Sequence, residues 1–349
     1  MRPARESWIN PVLALVLCGA AGAACAGLSL PLPWMIGPLV AMAVCNFAGV
    51  ALRAPPASRQ LGQLVVGTAL GLYFTPVVAR EVISFWPVLL FGGVLAILLG
   101  VLGGWILSRL TGTDGTTAFF ASVPGGATEM TLLGERFGAR ADRVALAQSL
   151  RILAVVIVVP FALTYSGVHG SDAYQPVAIP LDLGRLALLL GMGAAVGGLL
   201  ARFGMPNAFM FGPLGVAAAL TIGELQLSSL PTSLSSAAQV LLGCALGARF
   251  ERRSLQSAPR YVVGVLASVV AVIAAAALAA FLLAVASGLP APTLILAMAP
   301  GGIAEMCITA KVLQLGVPLV TAAQVARVLV LLSTTGPGFR LLKAVRAGP

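Results

Sequence analysis

Two short stretches hold the residue types that could do chemistry in this chain. Pro124-Gly125-Gly126-Ala127-Thr128-Glu129 and Pro300-Gly301-Gly302-Ile303-Ala304-Glu305 each set a helix-breaking Pro-Gly-Gly and a carboxylate in an apolar surround. Hydrocarbon tolerates neither broken backbone nor charge unless protein or a cavity shields it, so a segment of this kind is expected to bind something. The half-helix that starts after each second glycine presents amides with no intrahelical partner and the positive end of a dipole. That end attracts an anion or a ligand oxygen, while carbonyls freed on the preceding side suit a cation. Glycine would let a ligand approach bare backbone. The plainer alternative is that Pro-Gly-Gly only makes a tight hairpin tip.

Glu129 and Glu305 fall on the first turn of those half-helices. A carboxylate at such depth must be paired, protonated or holding a cation, which suits uptake of a proton or a sodium ion during transport; a helix cap or a fixed salt bridge is the structural alternative. Thr128 is a further candidate ligand, but Ala304 replaces it in the second stretch, so the two half-sites are not equivalent. Gln148 and Arg151, and likewise Gln324 and Arg327, share a helix face about eight residues into the last apolar segment of each half of the chain. An arginine there costs about 2.5 to 3.5 kcal/mol unless it finds a partner, and Glu129 and Glu305 are the obvious ones. The other reading is that guanidinium and half-helix amides together hold a substrate carboxylate. Gln63 and Gln239 either face the same cavity or hydrogen-bond between helices. His169, the only histidine, lies in a polar link and reads as a solvated loop residue. No nucleophile and base stand together near the motif and no ligand cluster suits a metal, so no catalytic residue, metal or cofactor is expected, and the chain does not read as an enzyme.

The elements that must position these residues are helices in a membrane. Of 349 residues 59% are hydrophobic and 9% charged, with a mean hydropathy of +1.01. That is too little charge to solvate a globular surface, and no alternating pattern suggests a barrel. The fold class expected is an all-α polytopic membrane protein. The net charge of +10 arises from cations at the ends of apolar runs, which is a topology signal and not a nucleic-acid footprint. Cys18, Cys25, Cys45, Cys244 and Cys307 all lie in apolar segments without disulfide or metal spacing. The N-terminal apolar run reads as a retained first helix rather than a cleaved signal peptide, because the second half contains its counterpart.

The chain is a duplication. Pro300 lies 176 residues after Pro124, and six of the ten positions from Ala121 to Met130 are identical at that offset; Gln63, Gly67, Gln148 and Arg151 match Gln239, Gly243, Gln324 and Arg327 at the same offset. Nearer the N-terminus Gly37-Pro38-Leu39 matches Gly212-Pro213-Leu214 at 175. The expected spans are roughly 10–28, 34–51, 61–78, 84–109 and 143–166, then 183–202, 207–223, 237–250, 261–286 and 319–340. If each Pro-Gly-Gly element is re-entrant and the N-terminus is cytoplasmic, sixteen Lys and Arg residues fall inside and three (Arg80, Arg185, Lys311) outside, Arg151 and Arg327 lying within spans. If both elements cross, the same residues divide nine against ten. The positive-inside rule selects re-entrance. Five spans per copy then invert the second copy: residues 1–167 form a first inverted repeat, 168–181 a periplasmic link and 182–349 a second inverted repeat, with both termini cytoplasmic. Nine residues of helix before Val123 cover roughly 13 Å, near half of a ~30 Å core, so the two tips are expected to meet at the midplane.

Pro124-Gly125-Gly126 with Glu129-Met130, Pro300-Gly301-Gly302 with Glu305-Met306, and the two Gln-x-x-Arg pairs resemble the bacterial AbrB-type membrane protein family, a duplicated-domain family whose other labels are "AbrB family transcriptional regulator" and "putative ammonia monooxygenase". The resemblance spans nearly the whole chain. It implies a multi-pass protein of the bacterial inner membrane with a role in regulating gene expression, and no catalytic residues. The residues speak against both labels: one loop histidine cannot ligate a copper or iron oxygenase centre, and no polar stretch is long enough for a DNA-reading module. The expectation is a secondary active transporter of a small solute, an organic anion being favoured by the arginines, with H+ or Na+ coupling through Glu129 and Glu305. A passive channel and a membrane-embedded regulator of gene expression are the alternatives. The partners expected are a small-molecule substrate, a coupling ion, the lipid bilayer and a second copy as homodimer, without nucleic acid. No G-x-x-x-x-G-K-[ST] loop occurs, so ATP-driven transport would require another subunit.

Overall fold

The computed structural model describes residues 6–50, 52–168, 170, 179–250 and 258–346, and among them every regular element is an α-helix. In chain order these are α1 (Glu6–Gly27), α2 (Pro33–Phe47), α3 (Ser58–Gly71), α4 (Pro76–Ser84), α5 (Trp86–Thr111), α6 (Gly115–Ser122), α7 (Ala127–Arg136), α8 (Ala141–Tyr165), α9 (Leu183–Arg202), α10 (Ala208–Ile222), α11 (Thr232–Gly247), α12 (Pro259–Ser287), α13 (Ala291–Met298), α14 (Ile303–Leu313) and α15 (Val317–Arg346). Six of them, α1, α5, α8, α9, α12 and α15, are long and apolar enough to cross a bilayer. This is the architecture of a multi-pass membrane protein. Three further expected spans, α2, α10 and α11, are apolar helices of 15 or 16 residues. The tenth, expected as one helix over 61–78, is two: α3 and α4 meet at 92°. Pro76 is the physical reason, since it has no N–H to donate backwards and forces the residue before it out of the helical region. His169 and most of the link around it lie outside the described residues.

The chain folds as two compact units that interleave its halves. One comprises Met1–Glu81, Pro160–Ser257 and Lys311–Pro318; the other comprises Val82–Val159, Ala258–Ala310 and Leu319–Pro349. The division at 167 and 182 is therefore one of sequence and not of compact bodies.

In the first unit α2 turns back along α1, and α10 along α9. Their packing is reciprocal: a Cβ on Gly67 of α3 would strike Met210 O of α10, and one on Gly243 of α11 would strike Met35 O of α2. Gly243 corresponds to Gly67 and Met210 to Met35 in the duplicated sequence, so each contact is the image of the other. Asn207, in the left-handed conformation at the start of α10, ties the same pair of helices: its Oδ1 accepts from Arg59 (2.9 Å) and Gln63 (3.1 Å) on α3.

In the second unit α5 and α12, which correspond at the 176-residue offset, run antiparallel. Thr111 meets Gly264, Gly103 meets Ser268 and Val272, and Leu99 clusters with Val272 and Ala276. Ser268 Oγ donates to Gly103 O at 2.8 Å across this pair. The short helices α6 and α13 lie against α5 and α12 respectively. Gly100 opens the face of α5 to the backbone of Val123.

Candidate functional site

All of the Pro-Gly-Gly chemistry collects in the second unit. Each motif is a helix, a break and a helix: α6 ends at Val123 and α7 starts after Gly126, while α13 ends at Ala299 and α14 starts after Gly302. Asp114 caps the start of α6 by accepting from Thr117 N at 2.8 Å. Val123 at φ −61°, ψ 128°, Gly126 at φ −66°, ψ 135° and Ala299 at φ −57°, ψ 135° are extended, Gly125 N donates to Val123 O at 2.9 Å across a tight turn at Pro124, and φ is negative throughout both breaks. None is left-handed, so backbone conformation does not explain the glycines.

Packing explains them. A Cβ on Gly125 would come within 2.6 Å of Met130 Cε, and one on Gly301 within 2.9 Å of Met306 Cε. A Cβ on Gly126 would overlap Glu129 Oε2, and one on Gly302 would overlap Glu305 Oε2. Each carboxylate thus folds back over the second glycine and each methionine over the first. The spacing Pro-Gly-Gly-x-x-Glu-Met is one packed unit, and the space expected for a ligand over the glycines is occupied by the chain itself. Glu305 is buried and Glu129 half-buried, whereas Thr128 is exposed.

The carbonyls freed at the breaks are held by the Gln-x-x-Arg pairs. Gln148 Nε2 donates to Phe120 O (2.8 Å) and Val123 O (2.9 Å); Arg151 donates from one terminal nitrogen to Val123 O (2.8 Å) and from the other to Gly125 O (3.2 Å). The second copy repeats this. Gln324 Nε2 reaches Leu296 O (2.8 Å) and Ala297 O (3.2 Å), and Arg327 reaches Ala299 O and Gly301 O, both at 2.6 Å. These hydrogen bonds correct the expectation that Glu129 and Glu305 would be the arginines' partners. A carbonyl at a helix C-terminus is itself an electron-rich partner for a cation, although Glu305 also acts on Arg327 through its charge. Each pair retains unused capacity: Gln148 Oε1, Arg151 Nε, Gln324 Oε1 and Arg327 Nε are buried without a hydrogen-bond partner.

The two motifs converge. Val155 of α8 lies against Gly301 of the second break. A small cavity of about 10 Å³, room for about one water, is lined by Arg151, Ser122 and Pro300, with apolar walls from α5 and α12. Ser268 of α12 completes its polar lining. Sequence reasoning missed both serines, because a lone serine in an apolar helix carries no motif. It also placed Gln63 and Gln239 as candidate cavity residues; they belong to the first unit, where Gln63 makes the interhelical bond to Asn207 and Gln239 is buried on α11.

Residues 34–343 match the family described as transition state regulatory protein AbrB. The Bacillus subtilis (strain 168) protein named "Uncharacterized protein YhjN" is 28% identical over 97% of this chain and 94% of its own length. The Escherichia coli (strain K12) protein named "Putative regulator AbrB" is 28% identical over 88% of this chain and 89% of its own.

Proposed function

Because the chain belongs to the AbrB family, as a multi-pass helical member of it, we propose that it is a secondary active transporter of a small solute, working by alternating access around its two broken helices. One observation carries the reading: two Pro-Gly-Gly breaks, each with its carbonyls held by a buried Gln-x-x-Arg pair, border one cavity in one compact unit. A purely structural protein gains nothing from bringing two interrupted helices and two buried guanidiniums together in an apolar bundle, where each charge is costly. Broken helices that meet inside the bilayer are a recurrent way for transporters to build a solute site.

The repeats are read as inverted, with both Pro-Gly-Gly elements re-entrant and both termini on the cytoplasmic side of an inner membrane. The antiparallel run of the corresponding helices α5 and α12 supports inversion. Lengths of 8 residues for α6 and α13, about 12 Å each, support elements that reach only partway through the core. An organic anion is the favoured solute, since two buried guanidiniums, Arg151 and Arg327, belong to one compact unit and an anion offsets buried positive charge. Glu129 and Glu305 carry the coupling ion, H+ or Na+, and no chemical conversion of the solute takes place.

Uptake of labelled organic acids into proteoliposomes, with imposed pH or sodium gradients, tests this. Saturable uptake that follows one gradient, and loses that dependence in Glu129→Gln or Glu305→Gln, is expected. Ohmic conductance in a planar bilayer would instead identify a passive channel. The E. coli relative's name favours a second reading, a regulator without transport, for which a cytosolic protein that co-purifies stoichiometrically is the signature.

A further inference from the structure

The first unit holds two packings that are images of each other, and only one of them carries sulfur. Cys18 of α1, Met42 of α2 and Cys244 of α11 are each 0% exposed and form one cluster, with Cys45 of α2 half-buried against it. The corresponding residues of the other copy, on α9, α10 and α3, are Gly193, Ala217, Thr68 and, for Cys45, Leu220. The surroundings of the two sets match. Cys18 Sγ lies 3.8 Å from Pro38 O as Gly193 lies against Pro213, and a Cβ on Gly247 would strike Met42 Cβ as one on Gly71 would strike Ala217 Cβ. Glycine, alanine, threonine and leucine therefore serve the helix packing on their own, and four sulfur side chains at the four equivalent places call for a reason besides packing.

The chemistry of soft ligands supplies one. The Cys18 and Cys244 thiols are within hydrogen-bonding reach of each other, and Met42 of the same cluster adds a thioether. Among the described residues no three His, Cys, Asp or Glu side chains stand close enough to share a metal, which excludes the closed four-ligand site of a structural zinc. Two thiols and a thioether instead match a monovalent soft cation, Cu(I). Cu(I) that displaces one thiol proton to water makes a centre without net charge, and an apolar core admits that where it resists a charged one. Cys45, half-buried beside the pair, is placed to receive the ion and pass it inward by exchange between thiolates.

We propose that Cys18, Met42 and Cys244 form a binding site for one Cu(I) ion, with Cys45 as its point of entry. The site goes beyond the transporter reading and does not depend on it, since it belongs to the first unit and the Pro-Gly-Gly breaks belong to the second. It joins α1 and α2 of one copy to α11 of the other, so an occupied site fastens the two copies together within that unit.

The test is anaerobic titration of the purified full-length protein in nanodiscs with the coloured Cu(I)–bicinchoninate complex, whose bleaching reports transfer of the ion. One Cu(I) per chain is expected, undiminished by excess Zn(II), and X-ray absorption of the bound copper should show sulfur neighbours only. Cys18→Ala with Cys244→Thr, the latter the residue of the image position, should weaken binding by on the order of tenfold or more. Met42→Leu, which keeps the volume, should weaken it less, and Cys45→Ala should slow the transfer. Cys25→Ala and Cys307→Ala, outside the cluster, should each leave binding unchanged. No transfer to the wild type, displacement by Zn(II), oxygen or nitrogen neighbours at the copper, or unaltered binding in the protein lacking Cys18 and Cys244 would each overturn the site; transfer at the wild-type rate in Cys45→Ala would overturn the entry role. The absorption spectrum of the wild type and the Met42→Leu titration decide the matter even where the double variant does not fold. Absence of organic-acid uptake would sink the transporter reading and leave the copper site standing, whereas coupled uptake by a protein that takes no Cu(I) would do the reverse.

Discussion

Arg327→Lys keeps a charge and removes a fork. The two ends of the Arg327 guanidinium reach carbonyls two residues apart, Ala299 O and Gly301 O, each at 2.6 Å, from a side chain 3% exposed. One ammonium cannot span both oxygens in that planar geometry, so one charge-assisted bond is lost while the charge stays buried. Such a bond is worth about 1.5 to 3 kcal/mol, and the lysine variant should lose about that much stability. Arg327→Met loses both bonds, about 3 to 6 kcal/mol, but also removes a charge whose burial costs about 2.5 to 3.5 kcal/mol, for a net loss near ~1.5 kcal/mol. The conservative change should thus be at least as harmful as the radical one. At about 2 to 4 °C per kcal/mol, the lysine variant should melt about 3 to 12 °C below the wild type. Thermal unfolding of the purified protein in one detergent, followed by the fluorescence of its four tryptophans, reads this directly. Arg151→Lys should fall less, because its second bond is 3.2 Å long. A lysine variant melting within about 1 °C of the wild type, with the methionine variant well below it, would show that charge and not the fork holds the break.

Three further outcomes are expected. Gly243→Ala must push α11 off Met35 O of α2 and should cost about 1 to 3 kcal/mol, whereas Gly191→Ala on α9, where an added Cβ meets nothing within 4 Å, should be neutral or stabilising; equal melting temperatures for the two would remove the close-packing argument. Asn207→Ala loses the bonds to Arg59 and Gln63 and puts alanine in a left-handed conformation, so it should lower stability by about 2 kcal/mol. Asn207→Gly, which tolerates that conformation, should recover part of the loss in the same melt. Cysteines placed at Arg136 and Lys311 should react with an impermeant maleimide from opposite sides of the membrane, and labelling of both from one side would contradict inverted repeats.

Much of this was legible in the residues and some of it was not, for definite reasons. Helix positions could be read because apolar run length and terminal arginines are local signals: the expected 84–109 and 183–202 are found as Trp86–Thr111 and Leu183–Arg202. The duplication could be read because Gln-x-x-Arg and Pro-Gly-Gly recur at a fixed offset. The bend at Pro76 was missed although its proline is a break signal, because the run continues apolar on both sides. The arginines' partners were assigned to carboxylates, since charge opposite charge is the reading a sequence offers, while a backbone carbonyl is present at every position and so marks none. The role of the glycines was misassigned in the same way, to a ligand's approach instead of to Glu129 and Met130. Ser122 and Ser268 stand 146 residues apart, and only the packing of α5, α6 and α12 makes neighbours of them.

The reciprocal glycine contacts of the first unit also set a timetable. Gly67 on α3 finds its seat only on Met210 of α10, which the ribosome delivers 143 residues later. At about 5 to 20 residues per second, that is a wait of roughly 7 to 30 s during which the close-packing face of α3 has lipid for a neighbour. Nascent chains arrested before α10 should therefore present that face to lipid-phase crosslinkers, and chains arrested beyond it should not.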